Sequence, residues 1–129
     1  MDCRETTTAL GRTAESRALL HLERAGLRLL ERNYRCRAGE NDLVMLEPET
    51  AVLVLVEVRS RSRAEFGSAA ATVGLAKQRR CWLAARHLLM TRRDLRRLRA
   101  RFDVVAIDSP NQPGAAPVIT WIRNAFALG

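Results

Sequence analysis

The sequence predicts a mixed α/β domain whose elements follow the order α-β-β-β-α-β-β. Two segments with apolar residues at three- and four-residue spacing, typical of helices, are separated by short segments rich in valine and leucine, typical of strands. The chain has 129 residues, of which 47% are hydrophobic and 28% are charged, so it can form one core. The longest unbroken apolar run has six residues, whereas a membrane-spanning helix needs about 20.

The element boundaries follow from caps and turn residues. Thr8 and Ser68 are suitable N-caps, and Gly26 is suited to ending the first helix. The predicted helices cover residues 8–25 and 68–90, and residues 91–99 form a short basic helix or a mobile segment. The predicted strands cover residues 27–35, 40–46, 51–59, 101–107 and 118–123. We expect residues 1–129 to form a single domain with loose termini at residues 1–8 and 127–129.

The third strand is apolar on both faces, which predicts a central position in the sheet. A turn symmetric about Pro48 and Glu49 would place Asp42 opposite Leu55 and Glu40 opposite Glu57. Asp42 and Glu57 would then be diagonal neighbours on one face, about 7–8 Å apart. The pattern therefore predicts two carboxylates converging on one face of the sheet.

A pair of carboxylates at this position has two interpretations. Like charges in a partly buried site raise each other's pKa, and a divalent cation removes that unfavourable interaction. Mg²⁺ (or Mn²⁺) accepts one or two carboxylates and fills its other positions with water and phosphate oxygens. Asp42, Glu57 and the backbone carbonyl of Val58 could supply such a site. Alternatively, Glu57 forms an ion pair with Arg59 or Arg61 at a solvated strand end.

Positive charge is concentrated in one quarter of the chain. The segment from Lys77 to Arg101 holds ten basic residues and one acid, Asp94, so its net charge is +9, whereas the whole chain carries +8. A concentrated basic segment is typical of proteins that bind a polyanion, here nucleic acid. A solvated arginine face and a surface for acidic lipid are the alternatives. Arg59, Arg61 and Arg63 alternate beyond the third strand, as a phosphate clamp or a solvated rim.

The cysteines and tryptophans are assigned structural roles. Cys3, Cys36 and Cys81 are odd in number and widely spaced, which indicates reduced thiols in a cytoplasmic protein rather than a zinc site. No apolar stretch follows the N-terminal residues, so a secretory signal is not expected. Trp82 and Trp121 are expected in the core or at an interface rather than as base-stacking platforms.

Taken together, the motifs resemble those of the YraN-like family of small bacterial proteins. The resemblance runs in order from about residue 9 to residue 127. It rests on Gly11 with Ala14-Glu15, Arg32-Asn33-Tyr34, Gly39-Glu40-Asn41-Asp42-Leu43, Val56-Glu57-Val58-Arg59-Ser60-Arg61, Phe66-Gly67, Lys77-Gln78-Arg79-Arg80, Arg101-Phe102-Asp103-Val104 and Asn124-Ala125-Phe126. It implies a restriction-endonuclease-like α/β fold with a metal site of the PD-(D/E)xK type, similar to archaeal Holliday junction resolvases.

The resemblance also implies roles for individual residues. Asp42 matches the metal-binding aspartate, and Glu57 matches the first acid of the ExK signature. Glu15 on the first helix matches an additional acid that reaches the metal site in related resolvases. Lys77 and Gln78 open a basic motif, continued by Arg79 and Arg80, that faces the site or the substrate backbone in related nucleases. Asn41 stands where the family pattern has isoleucine.

Arg59 departs from the family pattern, which has lysine at this position. Arginine remains charged and cannot act as a base, although it can donate hydrogen bonds to a phosphate. Our leading hypothesis is a cytoplasmic, Mg²⁺-dependent endonuclease acting on branched or repair-intermediate DNA, with Glu15, Asp42, Glu57 and Arg59 in its active site. The alternatives are a non-catalytic nucleic-acid-binding module and an adaptor for an acidic protein. By analogy with resolvases, a homodimer is expected.

Overall fold

The computed structural model describes residues 3–61, 73–109 and 114–127, with side chains from residue 13 onward. Five strands and two α-helices make up this part of the chain. The helices are α1 (Cys3–Arg24) and α2 (Leu75–Thr91), and a short 3-10 turn covers Arg93–Leu95. The strands are β1 (Arg28–Cys36), β2 (Gly39–Glu47), β3 (Val52–Arg61), β4 (Arg99–Asp108) and β5 (Val118–Phe126).

The strands form one mixed sheet in their order along the chain. Neighbouring strands are antiparallel except β3 and β4, which are parallel because α2 lies between them in the chain. This arrangement confirms the predicted α/β class, the element order and the central position of β3.

Alternating side chains of the sheet pack against different helices. Val54 and Val56 of β3 belong to a core cluster with Ala18 and Leu22 of α1. Leu53 and Leu55 point to the other face, where they join Cys81, Ala85 and Leu88 of α2 in a second cluster. The sheet therefore lies between the two helices, and Glu57, two residues after Leu55, continues the α2 face.

The pairing of β2 with β3 differs from the predicted register. Leu43 pairs with Val56 and Glu47 pairs with Val52, so the loop comprises four residues, 48–51, rather than a turn centred on Pro48 and Glu49. Ala51 ends this loop in a left-handed conformation with φ of 55°. The register prediction was wrong by two residues, and because this number is even, every side chain keeps its predicted face.

The helix boundaries also differ from the prediction. The first helix begins at Cys3 rather than at Thr8, and Ala25, expected on its apolar stripe, lies beyond its end and is exposed. The second helix begins at Leu75, with Gly74 at its N-cap position, and the predicted cap Ser68 lies outside the described residues. No helix in the described ranges is long and apolar enough to cross a membrane.

Candidate active site

Asp42 and Glu57 meet on the face of the sheet that α2 covers. The register of β2 and β3, continued past Leu43 and Val56, places Asp42 across from Glu57 rather than from Leu55. Oδ2 of Asp42 accepts a hydrogen bond of 2.8 Å from the backbone N–H of Val58, and the charge of Asp42 raises the pKa of the Glu57 carboxyl group. The two carboxyl groups are therefore direct neighbours, closer than the predicted diagonal pair.

Two side chains of α2 contact Glu57 from above the sheet. Nζ of Lys77 lies 3.1 Å from Oε1 of Glu57, and the thiol of Cys81 donates to Oε2 at 3.3 Å. Positions 77 and 81 are four residues apart, so both side chains lie on the same side of the helix. Lys77 also donates to Oε1 of Glu40 at 3.0 Å. We call Glu40, Asp42, Glu57 and Lys77 the carboxylate cluster.

Burial and neighbouring charges change the pKa values of the carboxyl groups in the cluster. Glu57 is only 3% exposed, and its burial together with the charge of Asp42 raises its pKa to about 7. Burial also raises the pKa of Asp42 above its ordinary value. Glu40 behaves oppositely, because its hydrogen bond with Lys77 lowers its pKa. The cluster therefore contains two carboxyl groups whose negative charge Lys77 does not fully compensate.

Glu15 of α1 approaches the same place from the other helix. Its pKa is raised by burial and by the charge of Asp42, so the two carboxylates lie close enough to interact. Asn33 of β1, which has a φ of 52°, donates to Oε2 of Glu15 at 3.4 Å. The structure thus places Glu15 near Asp42, which in turn lies across the sheet from Glu57.

A close backbone contact sets the position of α2 over the cluster. A Cβ atom added to Gly39 would lie 2.0 Å from the carbonyl oxygen of Arg80, so only glycine fits there. Gly39 begins β2 next to Glu40, and Arg80 is three residues after Lys77. This contact therefore allows Lys77 and Glu40 to come within hydrogen-bonding distance.

The residues predicted to contact nucleic acid differ in their exposure and in their hydrogen-bond partners. Arg59 is partly buried at the end of β3, and Arg79 and Arg80 are exposed on α2. Arg61 forms a bidentate ion pair with Asp108 of β4, with distances of 2.7 and 3.0 Å. The side-chain amide of Gln78 donates to the carbonyl of Val73 at 2.9 Å, and Arg63 lies outside the described residues.

Sequence reasoning assigned Lys77 to substrate binding and gave no site role to Glu40 or Cys81. In the structure, Lys77 contacts both Glu40 and Glu57, and Cys81 contacts Glu57. One signal was available: Lys77 is the only lysine in a chain with 21 arginines. Arginine and lysine are not interchangeable, since the ammonium is a compact point charge and the guanidinium a broad planar fork. The i, i+4 spacing of Lys77 and Cys81 was a second signal.

The carboxylate oxygens of Asp42 and Glu57 could supply part of the coordination of a cation such as Mg²⁺. In the part of the chain that the structure describes, no three or more histidine, cysteine, aspartate and glutamate side chains are grouped as a metal site. Mg²⁺ needs only one or two carboxylates, because water and phosphate oxygens complete its coordination. Asp42 and Glu57 meet this requirement, and their raised pKa values show that the pair carries unfavourable negative charge.

Asn41 lies on the opposite face of β2 and is 1% exposed, and its Nδ2 atom finds no hydrogen-bond partner within the described residues. Nothing in the structure explains the asparagine at this position.

Comparison with known proteins places the chain in a family. The sequence model described as uncharacterised protein family UPF0102 matches residues 14–107. The chain is 47% identical over 123 residues to a UPF0102 protein of Dechloromonas aromatica, covering 95% of this chain and 92% of the relative. The chain is also 50% identical over 125 residues to a UPF0102 protein of Cupriavidus pinatubonensis. This match covers 97% of this chain and 91% of the relative. The YraN-like resemblance is confirmed, and the chain belongs to the UPF0102 family.

Proposed function

We propose that this protein binds DNA and hydrolyses its phosphodiester bonds with Mg²⁺ or Mn²⁺ held by Asp42 and Glu57. The observation that carries the proposal is the position of these two carboxyl groups across from each other on β2 and β3, both with raised pKa values beside the half-buried Lys77. Structural ion pairs normally lower a carboxyl pKa, as Glu47 does beside Arg101. A pair with raised values is typical of a functional site.

The chain's own residues have distinct roles in this proposal. Asp42 and Glu57 bind the ion together with the backbone carbonyl of Val58, and the N–H of the same residue orients Asp42. Glu15 adds a third carboxylate at the edge of the site. The ion, when bound, polarises the phosphate and acidifies water.

Lys77 provides the ammonium that the family pattern places at position 59. Its Nζ atom contacts Glu57 and Glu40 and uses two of its three donors there. The remaining donor can bind a phosphate oxygen and stabilise the charge that develops during cleavage. Arg59 contributes a permanent charge for holding the scissile phosphate.

The basic segment that begins at Lys77 is proposed to hold the DNA backbone. Arg79 and Arg80 are exposed on α2, and Arg93, Arg96 and Arg97 are exposed after its end. Arg79 and Arg80 lie on the helix that covers the carboxylate cluster, and the other three arginines follow it in the chain, so we propose that the DNA backbone is held along α2. We place this activity in the cytoplasm, in keeping with the free Cys36 and Cys81, and a homodimer remains part of the proposal.

A second candidate is a DNA-binding module that does not cleave. It is favoured by Arg59, which cannot accept a proton, and by Lys77, which is already paired with two carboxylates. This candidate predicts DNA binding that depends on salt and is independent of divalent ions.

The test is cleavage of branched, single-stranded and duplex DNA in Mg²⁺ or Mn²⁺. Asp42→Asn and Glu57→Gln should each abolish cleavage, whereas the matched control Glu49→Gln, on the exposed loop after β2, should cleave normally. Calorimetric titration of the ion should show binding to the parent and to Glu49→Gln and none to Asp42→Asn. Equal cleavage by Asp42→Asn and the parent would overturn the site, and binding without cleavage would select the second candidate.

A further inference from the structure

Trp82 lies between two hollows on the solvent side of α2. One hollow of about 350 Å³ is lined by Trp82, Ala85, Arg86, Leu89, Met90, Arg96 and Ala100. The other, of about 300 Å³, is lined by Trp82, Leu75, Gln78, Arg79 and Ala127. Trp82 also packs against the core cluster that lies between the sheet and α2. The indole therefore lines both hollows while part of it rests on the core, and it is held in place by that packing.

The hollows combine apolar walls with positive charge. Met90 is 60% exposed and Leu75 is 83% exposed, so apolar surface is open to solvent at both ends. Arg86 holds its guanidinium carbon 5.7 Å from the centre of the Trp82 ring. Arg79 lines one hollow and Arg86 and Arg96 line the other, and among the residues that the structure describes no acidic side chain lines either. An occupant must therefore be anionic and must also present flat or apolar groups.

A second copy of the chain does not meet this requirement. Placing two such faces together would bring at least six arginines into one interface without an acidic partner among the lining residues. A nucleic-acid strand with unpaired bases meets it, because bases stack on indole rings while phosphates pair with guanidinium groups.

The position of Trp82 links the hollows to the proposed active site. Trp82 follows Cys81, whose thiol contacts Glu57. Arg79 and Arg86 are seven residues apart, which corresponds to about 10 Å along the helix axis. At about 100° per residue, both arginines lie on the side of α2 away from Lys77 and Cys81. A strand held by both arginines would therefore run along the outer side of the helix that covers the carboxylate cluster.

We propose that the two hollows bind unpaired bases of a nucleic-acid strand, with Trp82 as the stacking platform and Arg79 and Arg86 as phosphate contacts. This inference rests on the proposed function and narrows its substrate class to nucleic acid that contains unpaired nucleotides. It assigns to Trp82 a role that the sequence analysis did not favour.

The first experiment follows binding of a fluorescein-labelled ten-nucleotide oligothymidylate and of a labelled duplex of the same length by anisotropy. Trp82→Ala should weaken binding of the single strand about 10-fold or more and binding of the duplex less than about 2-fold. Trp82→Phe should restore most of the affinity, because an aromatic ring remains. The matched control Leu20→Ala, an exposed apolar residue of α1, should bind both probes as the parent does.

The second experiment uses tryptophan fluorescence, since the chain contains two tryptophans. In the variant Trp121→Phe, Trp82 is the only indole, and unlabelled oligothymidylate should quench its emission with the affinity that anisotropy gives. Circular dichroism checks that this variant is folded. Unchanged emission on binding, or equal single-strand affinity in Trp82→Ala and the parent, would overturn the inference.

The outcomes separate this inference from the proposed hydrolysis. Quenching of Trp82 without cleavage by the parent protein would support the stacking platform and reject the endonuclease. Cleavage that is unaffected by Trp82→Ala on substrates with unpaired nucleotides would support the endonuclease and reject the platform. Quenching by an oligoglutamate peptide and none by oligothymidylate would reject the platform in favour of an acidic protein partner.

Discussion

Lys77, the only lysine of the chain, lies with Nζ 3.1 Å from Oε1 of Glu57 and 3.0 Å from Oε1 of Glu40. Burial lowers the pKa of Lys77, but the neighbouring Glu57 and Glu40 have the larger combined effect and raise it above its ordinary value. An ammonium is thus held between one carboxylate of β2 and one of β3. Its replacement by the broader guanidinium would disturb both contacts.

The first prediction concerns this ammonium. Lys77→Met should lower the cleavage rate about 100-fold or more, because it removes a cation that stabilises developing charge. Lys77→Arg should recover part of the rate, since the charge is restored with a different shape. The control Arg97→Met changes an exposed arginine beyond α2 and should weaken substrate binding only. Full activity of Lys77→Met under saturating substrate would exclude a role in cleavage.

The second prediction concerns stability and pH in metal-free buffer. The pKa of Glu57 is about 7 in the folded protein and near 4.5 when unfolded, so the folded state binds more protons between these values. The contribution of Glu57 to stability should therefore decrease as pH rises from about 4.5 to 7, by on the order of 1–3 kcal/mol. Urea denaturation across this pH range should show that the free energy of unfolding changes less with pH in Glu57→Gln than in the parent.

The contribution of Glu47 to stability should have the opposite pH dependence in the same urea denaturation experiment. Its hydrogen bonds with Arg101 and Thr50 lower its pKa from 4.5 to about 2. Its contribution should be complete above about pH 4.5 and should be lost as the pH falls towards 2. Glu47→Gln should therefore change the pH dependence below 4.5 and leave the range from 4.5 to 7 as in the parent. A change in that upper range would contradict the assignment of the two windows.

The third prediction concerns the close contact of β2 with α2. Gly39→Ala should lower the free energy of unfolding by about 1–3 kcal/mol, because the added Cβ meets the backbone carbonyl of Arg80. The same change should weaken cleavage, since it moves Glu40 away from Lys77. Gly74→Ala is the matched control: nothing lies within 4 Å of its added Cβ, so its effect should stay below about 1 kcal/mol. Thermal unfolding of both variants measures the difference.

The fourth prediction concerns Asn41. Its buried Nδ2 atom lacks a hydrogen-bond partner within the described residues, and such groups cost about 1–3 kcal/mol. Asn41→Leu has nearly the same shape without the polar nitrogen, so it should raise the free energy of unfolding by about 1 kcal/mol or more. Urea denaturation measures this change, and a less stable variant would indicate that the amide has a partner in solution.

The fifth prediction concerns DNA binding by α2. Arg79→Gln and Arg80→Gln should each reduce the slope of log affinity against log salt by about 1, if each arginine contacts one phosphate. Arg17→Gln, an exposed position on α1, should leave the slope unchanged. Affinity measured between low and moderate salt tests this, and identical slopes for all three variants would remove α2 from the DNA-binding surface.

Local pattern was sufficient for much of the fold. Alternation along β3 correctly separated Val54 and Val56 from Leu55 and Glu57, because successive side chains of a strand point to opposite faces. The exact register was not predictable, because it depended on Ala51 adopting a left-handed conformation that short-range sequence does not favour. The error was an even number of residues, so Asp42 and Glu57 stayed on one face.

The sequence by itself determined the order of the elements, the central place of β3 and the shared face of its acidic residue with Asp42, since these depend on residues near one another in the chain. Only the tertiary structure decided that Lys77, Cys81 and Glu15 reach the carboxylates, because these contacts join each helix to strand residues 20 to 37 positions away in the chain. Such contacts follow from the packing of both helices on the sheet, including the approach of Gly39 to Arg80.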